Sequence, residues 1–166
     1  MVTMVAEPLF VDTNILLEAT DVARRHHSRA TLALERHPAL VMSAQVAREY
    51  LVVCTRPMKD NGLGLSYRDA ADNLAELRAA IRLLSEERPL LPALLSLLEE
   101  VPCHGKAIHD AAIVAAMRAH GIHRLLTLNV QHFERFQGHV IVEDLEACDL
   151  EGDESSDDQG DTPLLT

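Results

Sequence analysis

The chain has 166 residues, 26 Asp and Glu against 15 Lys and Arg, a formal charge of −11 and 48% hydrophobic residues; this is one ordinary globular domain, large enough to build a core without disulfides or structural metal. Its longest apolar run, Ala111–Met117, is far too short to span a bilayer. Three widely spaced cysteines without a C-x-x-C pair suit a reducing cytoplasm, and five aromatics with no Trp argue against a base-stacking surface of the single-strand-binding type.

The charge is unevenly distributed. From Glu143 onward there are ten acids and no base, which leaves sixteen acids against fifteen bases in the body. Net acidity therefore excludes no phosphate-bearing substrate, and no basic stripe demands one. The N-terminus lacks the basic start and apolar stretch of a secretion signal.

Pro8–Asp12 is a short apolar run ending on an acid, the pattern of a central parallel strand. A helical pattern follows through Leu16–Leu17, then from Asp21 to about Arg36. Ala39–Met42 reads as a second strand. Ser43 supplies an N-cap for a helix reaching about Thr55, before Arg56-Pro57. Lys59–Gly64 has loop composition, and Ser66 with Asp69 opens a helix predicted to reach about Leu84. A strand is expected near Pro89–Leu91 and a helix over Pro92–Val101. An apolar helix spans Lys106–His120 with Gly121 as its cap, and strands are expected at His123–Leu128 and His139–Val142. This order predicts an α/β three-layer sandwich around a central, mostly parallel sheet over residues 1–150. Residues 151–166 read as an acidic disordered tail.

Three acids sit in apolar settings on separate elements. Asp12 ends the first strand, at the edge where open α/β sheets hold ligands. Glu49 has Val46, Val52 and Val53 as helical neighbours, and Asp110 lies in the most apolar helix. Each could have a private structural partner: Lys106 for Asp110, Arg48 or Arg56 for Glu49, and the following helix N-terminus for Asp12. Gathered together they would repel one another unless a cation intervened. An all-oxygen set selects Mg²⁺ or Mn²⁺, and magnesium's habit of sharing carboxylates with substrate phosphates points to phosphate-ester chemistry.

Phe10-Val-Asp-Thr-Asn14, Glu49 within Ser43–Tyr50, the Gly105-Lys-Ala-Ile-His-Asp-Ala-Ala112 helix start, and Leu126-Thr-Leu-Asn129 followed by Phe133 occur in that order. Over residues 8–142 the set resembles the PIN-domain ribonucleases, in particular the VapC-type toxins of toxin–antitoxin pairs. The resemblance implies a sheet of about five strands with the acids at its carboxyl edge. It implies that Asp12, Glu49 and Asp110 hold the metal, that Asn129 takes a fourth position, and that Asn14 and Thr127 orient these groups. It also implies a metal-dependent endoribonuclease acting on RNA, a cognate antitoxin and a homodimer; the cysteines and the short apolar runs add the expectation of a cytoplasmic protein with no membrane association. Many members carry Asp at the fourth position and another acid before the phenylalanine; here stand Asn129 and His132. That leaves three negative charges, so one metal is expected to bind well and a second weakly or together with RNA. The same two residues favour an alternative, a PIN-like binding module with weak or no turnover.

Overall fold

The computed structural model describes residues 6–86 and 89–148. Among them five strands, β1 (Leu9–Val11), β2 (Leu40–Met42), β3 (Ile81–Leu83), β4 (Arg124–Thr127) and β5 (Ile141–Asp144), form one sheet in the order β3-β2-β1-β4-β5. Every pairing is parallel. Strands β1 and β2 are buried along their whole length, as expected of short apolar strands covered on both faces.

Seven α-helices connect them: α1 (Thr13–Thr20), α2 (His27–Arg36), α3 (Ala44–Thr55), α4 (Tyr67–Ala80), α5 (Leu90–Glu100), α6 (Ala107–Ala119) and α7 (Val130–Phe133). The chain moves one way across the sheet from β1 to β3 and the other way from β3 through β4 to β5. Right-handed crossovers therefore put α1–α4 on one face and α5–α7 on the other. Packing agrees: α1 lies on α2 and α3, α3 on α4, and α5 on α6. The expected three-layer α/β sandwich is thus present, with its reversal of direction between β1 and β4.

Local signals account for much of this. Ser43 caps α3, its Oγ accepting from Val46 N, and Ser66 caps α4 with Asp69 returning the bond. Gly121, at φ 66°, closes α6 in the left-handed conformation while Ile122 N donates to the Met117 carbonyl.

Four expectations need correction. The helix predicted to reach Leu84 stops at Ala80, and the third strand is Ile81–Leu83 rather than a stretch near Pro89, where α5 begins. Pairing of Ile81 with Leu40 and burial of its side chain outweigh the local helical pattern. The helical pattern from Asp21 becomes a helix only at His27. Glu18 explains this: its carboxylate is buried, accepts from Arg24 and from the backbone N–H of His26, and holds the chain in a turn before α2. The last strand starts at Ile141, two residues late, because Ile141 is the residue in register with Arg124. Finally, α7 and a single 3-10 turn at Glu134–Phe136 occupy a stretch for which no element was expected; Phe133 and Phe136 anchor it in the core. The acidic tail lies outside the described residues.

Candidate active site

At the carboxyl edge of the sheet, Asp12 leaves β1 as Thr127 ends β4, at the point where strand order reverses, the usual ligand crevice of open α/β sheets. Asp12 is 7% exposed. Its Oδ1 accepts from Thr13 N (2.7 Å), which caps α1. Its Oδ2 accepts from Asn14 Nδ2 (2.7 Å) and Thr127 Oγ1 (2.7 Å). Asn14 ties the two strand ends together further, donating to Thr127 Oγ1 and accepting from Leu128 N. Thr127 Oγ1 also accepts from Asn129 N (3.0 Å).

Glu49 arrives from the other neighbouring strand connection, on α3. Its Oε2 accepts from Thr13 Oγ1 (3.1 Å) and its Oε1 from Gln45 Nε2 (2.9 Å), one helical turn earlier. Gln45 also donates to the His109 carbonyl, joining α3 to the start of α6. Asp110 lies in the first turn of α6, where the helix dipole favours negative charge. Its nearest basic group is His132 on α7, with Nδ1 3.8 Å from Oδ2, too far for a hydrogen bond. Asn129 precedes α7, and its side chain makes no cap hydrogen bond to that helix.

Asp12, Glu49, Asp110 and Asn129 therefore line one pocket of about 220 Å³, together with Asn14, His109 and His132. Thr127 lies just beneath, holding Asp12 and the Asn129 backbone. Among the described residues no arginine or lysine forms an ion pair with these acids: Arg48 approaches Glu86 instead, Lys106 makes no ion pair with Asp110, and Arg135 acts on Asp110 only as a more distant charge. Glu18 supplies the contrast, since that buried acid has Arg24 and a backbone N–H of its own.

The electrostatics reflect this crowding. Burial is the main force pushing the Asp12 carboxyl above its ordinary range; the bonds from Thr127 and Thr13 oppose it, and the charges of Glu49 and Asp110 add to it. Asp110 is likewise raised, first by burial and also by Glu49, with His132 the leading opposing influence. The donors that converge here are carboxylate and amide oxygens, which suit a hard divalent ion. Among the described residues no three His, Cys, Asp or Glu side chains already close into a metal cage. The fit to such an ion is thus one of donor chemistry and convergence.

Sequence reasoning did not single out two residues: Thr13, immediately after Asp12, and Gln45, four positions before Glu49. The i, i+4 spacing on α3 was the available signal for Gln45. That Thr13 reaches Glu49 follows only from α1 packing on α3.

A parallel sheet with acids converging at its switch point defines a class of α/β domain, and the PIN domain model matches residues 9–138. The chain belongs to the PIN-domain family. Ribonuclease VapC48 of Mycobacterium tuberculosis is 31% identical over 133 residues, covering 76% of this chain and 90% of that protein. Among solved structures, the DNA-bound VapBC of Salmonella typhimurium aligns with a TM-score of 0.61 at 16% identity, covering 84% of this chain and 98% of that one. VapC20 of Mycobacterium tuberculosis, a sarcin–ricin loop cleaving toxin, aligns with a TM-score of 0.53 at 22% identity, covering 70% of this chain and 86% of that one. The structural similarities are of fold.

Proposed function

We propose that this protein is an endoribonuclease that hydrolyses RNA phosphodiester bonds with the help of Mg²⁺ or Mn²⁺, acting as the toxin of a toxin–antitoxin pair. The observation that carries the reading is the meeting of Asp12, Glu49 and Asp110 in one pocket where, among the described residues, none of them forms an ion pair with a lysine or arginine. Its family membership and its likeness to a ribonuclease over most of both chains support RNA as the substrate. Solved relatives described as VapBC and toxin–antitoxin complexes support an antitoxin as partner. Among the described residues no helix is long and apolar enough to cross a membrane.

In this reading Asp12, Glu49 and Asp110 would hold the ion, with the Asn129 amide oxygen as a neutral fourth donor. When bound, the ion supplies positive charge for the phosphate oxygens and favours deprotonation of the attacking water. The chain's own contribution is positioning. Thr13 N–H, Asn14 and Thr127 fix both oxygens of Asp12, while Thr13 and Gln45 fix the two oxygens of Glu49, so the negative groups face the pocket without having to reorganise. Hydrolysis forms a new bond from water oxygen to phosphorus and breaks the bond to one sugar oxygen, which takes up a proton as it leaves.

Asp110→Asn removes one charge and keeps the shape. Incubated with mixed RNA and Mn²⁺, the wild-type protein is expected to cut and the variant to leave the RNA intact, as is wild-type protein in EDTA. Undiminished cleavage by a folded variant overturns the site. Binding of RNA by the wild type without any cleavage favours instead a binding module that has lost turnover.

A further inference from the structure

An acidic pocket in a near-neutral body repels the polyanion it is meant to cut, so cations must hold the strand nearby. The α3 helix presents them. A groove of about 640 Å³ shares Thr13, Glu49 and His109 with the acid pocket and continues along α3 past Arg48, Val52 and Arg56. Gln45, Glu49, Val52 and Arg56 follow one helical stripe, and Arg48 stands beside it. Arg56 lies seven residues beyond Glu49, about 10 Å along the helix axis, a gap that one or two nucleotides bridge.

Both guanidinium groups are available. Arg48 meets Glu86 only at 3.8 Å, with the two side chains 70% and 68% exposed, a pair worth little. Arg56 forms no ion pair among the described residues. Between them Val52 is 55% exposed, an apolar step for a sugar or base. The platform is also firm: the chain after Pro57 folds back on the end of α3, with Leu63 N, Leu65 N and Gly64 N donating to the carbonyls of Val53, Cys54 and Arg56.

We propose that the groove along α3, with Arg48 and Arg56 binding non-scissile phosphates and Val52 contacting the intervening nucleoside, is the track that holds single-stranded RNA beside the acid pocket. This rests on the ribonuclease reading and assigns the strand a direction out of the site, along α3.

The test measures binding, not turnover. A fluorescein-labelled single-stranded RNA 12-mer is titrated by anisotropy in EDTA against Asp110→Asn protein, alone and with R48Q/R56Q added, over a range of salt. Loss of two phosphate contacts should lower the magnitude of the salt slope by about 1.4. Affinity should fall roughly tenfold or more, the value of one charged hydrogen bond. As a charge-matched control, R78Q/R82Q alters two arginines that line neither pocket and should change binding little. With Asp110 restored, R48Q/R56Q should raise KM for RNA cleavage and leave kcat nearly unchanged. Equal affinity and slope in the R48Q/R56Q protein overturn the track, as does an equal loss in the R78Q/R82Q control. Arginine-dependent binding in a wild-type protein that never cleaves keeps the track and rejects the nuclease reading.

Discussion

Thr127 is where the fold and the site meet, and Thr127→Val tests that junction. The substitution preserves shape and β-branching at a residue with no exposed surface. It deletes the Oγ1 that donates to Asp12 Oδ2 at 2.7 Å and accepts from Asn129 N and Asn14 Nδ2, each at 3.0 Å. A hydrogen bond to a charged group is worth about 1.5–3 kcal/mol, and leaving an N–H without its acceptor adds up to about 1 kcal/mol where water can reach it. The expected loss is about 3 kcal/mol, or about 10 °C in Tm for a chain of this size. Thr127→Ser keeps the hydroxyl and removes one buried methyl, costing about 1 kcal/mol. The loss in Thr127→Val also depends on pH, with a definite sign. Asp12 is raised in the folded protein and the Thr127 bond opposes that shift. Removing the bond raises the carboxyl further, so the folded variant holds its proton to higher pH. Its deficit against wild type therefore grows as pH rises toward neutrality and shrinks once Asp12 is protonated in both. Urea unfolding at acid and neutral pH, with m-values compared to confirm that the unfolded states match, measures this. A Thr127→Val loss no larger than that of Thr127→Ser, or the same at both pH values, would refute the reasoning.

Asp110→Asn should separate stability from activity: with cleavage gone, its Tm equals or exceeds that of wild type. Folding raises Asp110, so wild-type stability from this group is lost as pH rises through the acid range, and the variant's relative stability grows with pH; a variant that loses stability relative to wild type between acid and neutral pH contradicts this. Calorimetric titration with Mn²⁺ in the absence of RNA should detect one ion, weakened in Asp110→Asn; two tight sites of similar affinity would refute the count based on Asn129 and His132. Gly62→Ala should destabilise by about 2 kcal/mol, because an added Cβ would lie 2.1 Å from the Arg56 carbonyl oxygen. It should also weaken RNA binding by displacing Arg56, read by the same anisotropy assay.

Much of this molecule was legible from residues alone because the relevant physics is local. An apolar run closed by Asp12, a serine before α3, and Gly121 after α6 each act over one or two turns of chain. Membership of one chemical set was also readable, since Asp12, Glu49 and Asp110 stand out as acids with apolar neighbours. What neighbours in sequence could not settle was whether each acid had a private lysine or arginine; Glu18 has one in Arg24, and among the described residues the other three form no such ion pair. Nor could they reveal β3, three residues whose strand conformation comes from pairing with β2. Thr13 and Gln45 gained their tasks only when α1, α3 and α6 came together around Glu49 and His109. Periodicity and capping are properties of a few adjacent residues and are written in the chain. Desolvation, charge pairing and strand partnership depend on which distant surfaces are pressed together, and only the assembled sheet, with its reversal between β1 and β4, decides those.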